Sequence, residues 1–307
     1  QYSAPCVEID TFISHAWGTP WWQKYLALLM HFYGRTAAYS GCWTLMWCCA
    51  LDLAGLLPQA EVRLDSVFSG RDHPPVTLQF TPWSGAPILV SVITLILSPR
   101  LTGQQRDKNL FMDVVCINQI DDAEKAEGIN HLAGFLNKSR EMLVCWSPET
   151  LQRMWCVFEL AIFSALHGTE RKITWCPVFL HSLLLIQYLT VSLIFVANEI
   201  RHCVQVSDGS KEWFASNWFI AVYCVLIIPA IYLWDMGRSF MRQRHGFART
   251  VEAFDIHEAS CRDEGDRRYV LRNIRHWYGS EDIFNKEVQG PLAAQIAQAI
   301  NGVDADY

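Results

Sequence analysis

Short apolar segments that suit buried strands alternate along this chain with segments of helical pattern, and this alternation constrains the fold more than any other feature. The predicted strands are Val7–His15, Leu110–Cys116, Met142–Trp146 and Lys172–Val178. The helices predicted between and after them are Trp21–Tyr39, Asp122–Lys138 and Arg153–Leu166. Strands that alternate with helices pair in parallel, and the helices then cover both faces of the sheet. We therefore expect an α/β fold with a doubly wound parallel sheet.

Long uncharged runs interrupt this alternation. The chain is 51% hydrophobic and 18% charged, which is more apolar than most globular proteins. The excess lies largely in Cys176–Ala197 and Trp213–Trp234, which carry no charge and are each longer than the roughly 20 residues that span a bilayer. Two shorter candidates are Gly41–Leu57, interrupted by Asp52, and Ala86–Ser98. For all of these segments a buried helix or strand is the alternative.

The positions of these runs predict how membrane segments would join the α/β domain. An insertion that returns the chain to the same domain must cross the bilayer an even number of times, and inserted transmembrane helical hairpins satisfy this condition. We expect a discontinuous α/β domain at 1–40 and 99–178 and an insertion at 41–98 with two candidate membrane segments. A transmembrane helical hairpin is expected at 179–237, followed by a C-terminal helical part at 238–307 that packs on the α/β domain.

Basic residues indicate the orientation of the chain in the membrane. They concentrate where the apolar runs meet the α/β domain, as at Arg35, Arg100 and Arg238, and they are scarce in the intervening loops. Because basic flanks stay on the cytoplasmic side, we expect a multi-pass membrane protein with its α/β domain in the cytoplasm and membrane lipid as a partner. The net charge of −6 offers no electrostatic footprint for nucleic acid.

Several common site types have no signature in this sequence. The 11 cysteines include no C-x-x-C pair and lie mostly in apolar segments, which indicates reduced thiols, and no histidine or cysteine cluster has the spacing of a metal site. No phosphate-binding P-loop, G-x-G-x-x-G or G-x-S-x-G motif occurs. The chain begins with Gln1, so we expect that it lacks its native N-terminus.

The segment Ser147–Leu160 is the most informative local feature. It places a Ser-Pro breaker after a predicted buried strand and an acid, Glu159, on the helix that follows. Trp155 and Glu159 are four residues apart, so both would face the crevice at the carboxyl end of the sheet, where open α/β sheets bind ligands. A further aromatic cluster follows the first strand and comprises Trp17, Trp21 and Trp22. Core packing, a membrane interface and ligand stacking are the alternatives for that cluster.

Four short motifs, taken in order, resemble those of TIR (Toll/interleukin-1 receptor homology) domains, the flavodoxin-like modules of innate-immunity receptors and of NAD-cleaving enzymes. The matching segments are Phe12–His15, Phe111–Asp113, Leu143–Pro148 and Trp155–Leu160. The resemblance covers the strands and helices of the α/β part and leaves out the apolar insertions. The whole arrangement also resembles membrane proteins encoded in dinoflagellate genomes, a likeness that implies no activity.

The resemblance implies a flavodoxin-like fold and two functional alternatives. In one, the chain is a cytosol-facing signalling module that forms homo-oligomers through TIR–TIR contacts, and Glu159 only supports the fold. In the other, Glu159 is the catalytic residue that cleaves NAD, which is then a substrate rather than a cofactor. A transporter-like bundle with a degenerate regulatory domain is a third reading, although neither long apolar run contains a charge that would mark an ion path.

The enzyme alternative implies a nucleotide site around Glu159. Trp155 occupies the family's position in that site, and Ser14, His15 and Trp17 follow from the end of the first strand. NAD-cleaving relatives often carry basic residues just after this strand, whereas here the chain continues His15-Ala16-Trp17-Gly18. Arg153 or backbone N–H groups of the loop after Ser14 would then meet the phosphates.

Overall fold

Two structural units make up the chain, and each is assembled from segments that are separate in sequence. The first unit comprises Gln1–Leu28, Gly103–Leu180 and Ser239–Tyr307, and the second comprises Leu29–Thr102 and His181–Arg238. The computed structural model describes residues 6–57, 60–64, 76–80, 83, 85–101, 108–118, 120–147, 149–168, 171–205, 230–232, 234–235, 237–238, 251–261 and 263–294.

Parallel strands form the centre of the first unit. The strands described in the chain are β1 (Ile9–His15), β2 (Ala60–Leu64), β3 (Val76–Phe80), β4 (Leu110–Phe111), β5 (Ser139–Trp146), β6 (Ile173–Pro177) and β7 (Val204–Gln205). Four of them form one sheet in the order β4-β1-β5-β6, and all of its pairings are parallel. The predicted α/β class and the parallel sheet are thereby confirmed.

Burial along the two central strands explains why this sheet lies inside the unit. Phe12 and Ile13 are adjacent in β1, and Met142, Leu143 and Val144 are consecutive in β5, yet each is at most 5% exposed. Successive side chains of a strand point to opposite faces, so both faces of the sheet are covered. Near-continuous apolar runs are the sequence pattern of strands in this position.

Helices follow the parallel strands along the chain. The described helices are α1 (Trp21–Leu53), α2 (Ala86–Leu101), α3 (Asp113–Cys116), α4 (Asp122–Asn130), α5 (Leu132–Lys138), α6 (Met154–His167), α7 (Val178–Cys203), α8 (Glu264–Tyr278) and α9 (Glu281–Glu287). Side-chain oxygens cap the start of three of them, from Asp121, Asp263 and Ser280. Such residues accept from the otherwise unpaired N–H groups of the first turn.

The predicted boundaries differ from the structure in three places. The second parallel strand ends at Phe111 rather than Cys116, because Asp113 begins the short helix α3. The single helix expected at Asp122–Lys138 is two helices separated at His131. Helix α1 does not end at Tyr39 but continues to Leu53, so most of the apolar run that begins at Gly41 belongs to it.

The C-terminal helices complete the core of the first unit. Val270 and Ile274 of α8 and Phe284 of α9 are buried in one cluster with residues of β1, β5 and α6. The Tyr278 hydroxyl donates a hydrogen bond of 2.8 Å to the carbonyl of Ala161 in α6. Nothing in this region resembles a detachable appendage, because its apolar side chains lie at 0–1% exposure.

The second unit contains the other apolar runs. It holds the antiparallel sheet β2-β3-β7 together with α2 and the larger parts of α1 and α7. Cys176 and Pro177, at the start of one predicted run, belong to strand β6, and most of Trp213–Trp234 lies outside the described residues. Across the described parts of the chain, no helix has the combined length and apolar character required to cross a membrane. The transmembrane hairpins therefore stay a prediction.

Candidate functional site

The carboxyl ends of the parallel strands form the edge at which the candidate site lies. Counted along the chain, the parallel strands stand in the order second, first, third, fourth, so the direction of strand addition reverses beside β1. In open α/β sheets the loops that leave such a point separate and form a crevice that binds ligands. In the first unit these are the loop 16–20 after β1 and the loop 147–153 after β5.

Glu159 and Ser14 meet at this edge. Ser14 lies near the end of β1, where it pairs with Val144, and Glu159 lies on α6. The Ser14 hydroxyl donates a hydrogen bond of 2.6 Å to Glu159 Oε2, and both residues are buried, at 1% and 7% exposure. A carboxyl is rarely buried without such a partner. The contact therefore ties α6 to the central strand.

The surroundings of Glu159 keep its carboxyl protonated at neutral pH. Burial, followed by the negative charge of Asp113, raises the pKa of Glu159 to about 8, while the hydrogen bond from Ser14 acts in the opposite direction. Burial disfavours the charged form of an acid, and a second carboxylate nearby disfavours it further. Two carboxyl groups in different protonation states thus share one site, an arrangement that can donate a proton and stabilise positive charge.

Asp113 is the centre of this cluster, although the sequence analysis did not single it out as a site residue. Its carboxylate accepts a hydrogen bond of 3.1 Å from the Trp17 indole, and the His15 Nδ1 atom lies 3.5 Å from its other oxygen. Burial lowers the pKa of His15, with Asp113 acting in the opposite direction, so its imidazole tends to stay neutral. The signal that could have identified Asp113 is its position just after a parallel strand.

Trp155 has partners away from this cluster. Its indole ring stacks on Tyr269 of α8, with centroids 6.1 Å apart and planes 28° apart, and its N–H group donates to Asp266 at 3.3 Å. The aromatic wall that the resemblance implies beside Glu159 is therefore engaged with the C-terminal helix. Helical spacing puts residues i and i+4 on one side of a helix, but the neighbouring elements decide what each side chain contacts.

Arg153 lies beside the loop after β1 and already has an anionic partner. Its guanidinium group is 3.3 Å from the Glu149 carboxylate. A Cβ atom on Gly18 would lie 2.2 Å from the same carboxylate oxygen and 2.9 Å from Arg153, so glycine is what allows the pair to approach the loop. A phosphate bound by Arg153 would have to compete with Glu149.

The thiols near the site are buried. Cys156 Sγ donates to the carbonyl of His15 at 3.4 Å, and burial raises the pKa of Cys156 well above that of a free thiol. Because the thiolate is the reactive form, a thiol with a raised pKa is a poor nucleophile. Among the residues that the structure describes, no group of three or more His, Cys, Asp or Glu side chains is arranged to hold a metal ion.

The structure thus collects four of the predicted site residues, Ser14, His15, Trp17 and Glu159, around Asp113, and it gives Trp155 and Arg153 other partners. Comparison of the chain with protein-family models, with curated proteins and with solved structures finds no significant match. A function can therefore be argued only from the residues of the chain itself.

Proposed function

We propose that this chain is a membrane-anchored, TIR-like signalling module that works by self-association, with its α/β unit facing the cytoplasm. The strand order second-first-third-fourth supports the flavodoxin-like part of this proposal, because flavodoxin-like sheets order their first four strands in that way. The motif residues Ser14, Asp113 and Glu159 also meet at one edge of the sheet. In this proposal the Ser14–Glu159 contact supports the fold.

The observation that carries the proposal of membrane anchoring is the packing of α1 against α2 in the second unit. Small and polar residues form the contact: Gly41 lies against Ser91, and Ser40 donates a hydrogen bond of 3.0 Å to Thr94. Helices that associate in lipid use such small residues and interhelical hydrogen bonds, because lipid removes the hydrophobic drive between them.

The opposite sides of these helices carry the apolar residues. Large hydrophobic side chains that are 44–62% exposed include Trp43, Met46, Trp47, Leu89, Ile93 and Ile96. In water, a helix pair places such residues in its interface and polar residues outside. Apolar patches of this extent mark contact with a partner or with a membrane. The inverted pattern supports lipid as the surrounding medium.

Self-association is supported by exposed aromatic residues in the first unit. Trp21, Trp22 and Tyr25, at the start of α1, are 76%, 48% and 56% exposed. Aromatic residues are enriched in protein interfaces, where they bury large areas at low entropic cost. Anchoring on a membrane raises the effective concentration of such modules, so a weak contact between copies is sufficient.

Membrane anchoring can be tested by fractionation. The full chain should stay with membranes after an alkaline wash, and Ile93→Lys combined with Ile96→Lys should release a large fraction of it. The matched control is Ile283→Lys, because Ile283 is similarly exposed but lies on α9 in the first unit. Equal release of the wild-type chain and both variants would argue against lipid contact of the second unit.

Self-association can be tested on the same material. Chemical cross-linking of the chain in vesicles should give dimers, and Trp21→Ala with Tyr25→Ala should reduce their yield by about tenfold if the aromatic patch is a hot spot. Trp277→Ala is the control, since Trp277 is an exposed tryptophan on α8. An unchanged dimer yield in the Trp21/Tyr25 variant would contradict this role of the patch.

The alternative is a TIR-type NAD nucleosidase that uses Glu159, and a specific observation favours it. Glu159 has a pKa of about 8 and lies near the charged Asp113, so an acid and a carboxylate share the site. Cleavage of NAD breaks the bond between ribose and nicotinamide, and the ribose acquires oxocarbenium character that a nearby carboxylate stabilises. Perturbed pKa values of this kind cluster at functional sites.

The enzyme alternative predicts nicotinamide release by the full chain concentrated on lipid vesicles. Glu159→Ala and Glu159→Gln should both abolish release. Glu149→Gln, which alters a half-exposed carboxylate of the neighbouring loop, should retain it. Absence of release from the wild-type chain under these conditions would exclude the enzyme and leave the signalling proposal standing.

A further inference from the structure

Trp17 presents one open aromatic face at the carboxyl end of β1. Its indole lies nearly parallel to the His15 imidazole, with centroids 6.4 Å apart and planes 10° apart, and its N–H group donates to Asp113. These two contacts orient the ring. Trp17 is nevertheless 52% exposed, so the face that points away from His15 meets solvent.

Asp113 supplies negative charge at the edge of that ring. Its carboxylate accepts from the Trp17 indole at 3.1 Å and from the backbone N–H of Val114 at 2.7 Å, and hydrogen bonds of this kind stabilise the ionised form. The side chain is 23% exposed, whereas that of His15 is 3% exposed. A ligand that reaches the open face of Trp17 therefore comes close to an accessible carboxylate.

The neighbouring cation does not take over this charge. Lys24 Nζ donates to the carbonyl of Ala16 at 3.3 Å, and burial lowers the pKa of Lys24. His15 is buried and tends to stay neutral, and Glu159 is protonated at neutral pH. The field at the mouth of the site is thus set mainly by Asp113.

An aromatic face with a carboxylate at its edge discriminates among ligand classes. An anion is repelled, and a neutral ring gains stacking but nothing from the charge. A planar organic cation gains both, because its charge interacts with the indole quadrupole and with the carboxylate. Delocalised cations are also weakly hydrated, so they lose less on leaving water than a compact ammonium does.

We infer that Trp17 and Asp113 form a binding site for a planar heteroaromatic cation. This inference goes beyond the signalling role and does not require the enzyme alternative, although such a site would also receive the pyridinium end of NAD. The site is separate from Trp155, which packs on α8.

Two probes that differ in charge test the inference directly. N-methylnicotinamide is a pyridinium cation, and nicotinamide is its neutral counterpart of nearly the same shape. Titration of the full chain in a neutral detergent, followed by calorimetry or ligand-observed NMR, should show that the cation binds at least about tenfold more tightly than the neutral ring. Equal affinities, or no binding of the cation, would overturn the proposal.

Variants assign the two contributions. Asp113→Asn keeps an acceptor for the indole and should remove the preference for the cation. Trp17→Leu should weaken binding of both probes, whereas Trp17→Phe, which retains an aromatic face without the N–H group, should stay within a few-fold of the wild type. Trp22→Leu, at a comparably exposed tryptophan of α1, should change nothing.

Controls separate this site from the two proposed functions. If Asp113→Asn fails to fold, as judged by near-ultraviolet circular dichroism, the Trp17→Leu and Trp17→Phe pair still decides the outcome. Glu159→Gln should leave cation binding unchanged, so a chain that cleaves no NAD can still bind the cation. Retention of the cation preference in a folded Asp113→Asn would also refute the inference.

Discussion

The Ser14 hydroxyl donates a 2.6 Å hydrogen bond to the Glu159 carboxyl across 145 positions of sequence. Because Ser14 lies in the central strand and Glu159 on the helix that follows β5, one contact joins the two elements that define the candidate site. The carboxyl is held at the boundary between structural and chemical roles, since the same burial that makes it a tie also makes it an acid with an unusual pKa.

The protonated Glu159 should make stability depend on pH. The folded chain keeps a proton that the unfolded chain releases as pH rises from about 4.5 to about 8, so the free energy of unfolding should fall over this range. Glu159→Gln removes the effect and should be more stable than wild type at pH 7 by on the order of 3 kcal/mol, with the difference vanishing at low pH. Denaturant titrations at several pH values measure it. Parallel curves for the two proteins would contradict the raised pKa.

Ser14→Ala should act on the same carboxyl from the other side. Loss of the donor should lower the free energy of unfolding by about 1–2 kcal/mol. It should also move the pKa of Glu159 above its present value, because this hydrogen bond favours the charged form. Thr11→Val is the control: Thr11 donates a bond of equal length, 2.6 Å, to Glu141 on the same strand. The control should lose stability without moving the Glu159 titration, which carbon NMR of the carboxyl would follow.

Trp155→Ala should destabilise the first unit by about 3 kcal/mol, the usual cost of truncating a packed aromatic residue. The variant loses the stack on Tyr269 and the hydrogen bond to Asp266. Trp17→Ala, at a half-exposed position, should cost less than about 1 kcal/mol. Chemical denaturation distinguishes the two. A neutral Trp155→Ala would mean that its contacts with α8 contribute little, and it would reopen a ligand-binding role for this ring.

Gly41→Val should disrupt the α1–α2 contact. A Cβ atom at this position would lie 1.9 Å from Ser91 Oγ and 3.2 Å from the backbone carbonyl of Pro87, and the carbonyl cannot rotate away. Gly34→Val is the matched control on the same helix, because its Cβ would meet only Met30, at 3.9 Å or more. Thermal unfolding in detergent should show a lower midpoint for Gly41→Val alone. Equal midpoints would contradict the close packing at Gly41.

Local pattern was sufficient to predict much of the framework. The strands at β1, β5 and β6 and the helix that carries Glu159 follow from apolar periodicity, and Asp263 and Ser280 mark helix starts through their capping oxygens. Local pattern failed where an element is short or where neighbours decide its length. The second parallel strand has only two residues, and α1 continues past the predicted stop because no breaker follows Tyr39.

The sequence by itself determined the α/β alternation, the apolar runs and the presence of an acid beside the strand-to-helix corner, because these depend on residues that are close together in the chain. Only the tertiary structure decided that Asp113 joins Glu159, that Trp155 turns to Tyr269 and that Arg153 pairs with Glu149. The protonation state of Glu159 belongs to the same class. A pKa depends on burial and on charges that the fold brings together from distant segments, and no local pattern contains that information.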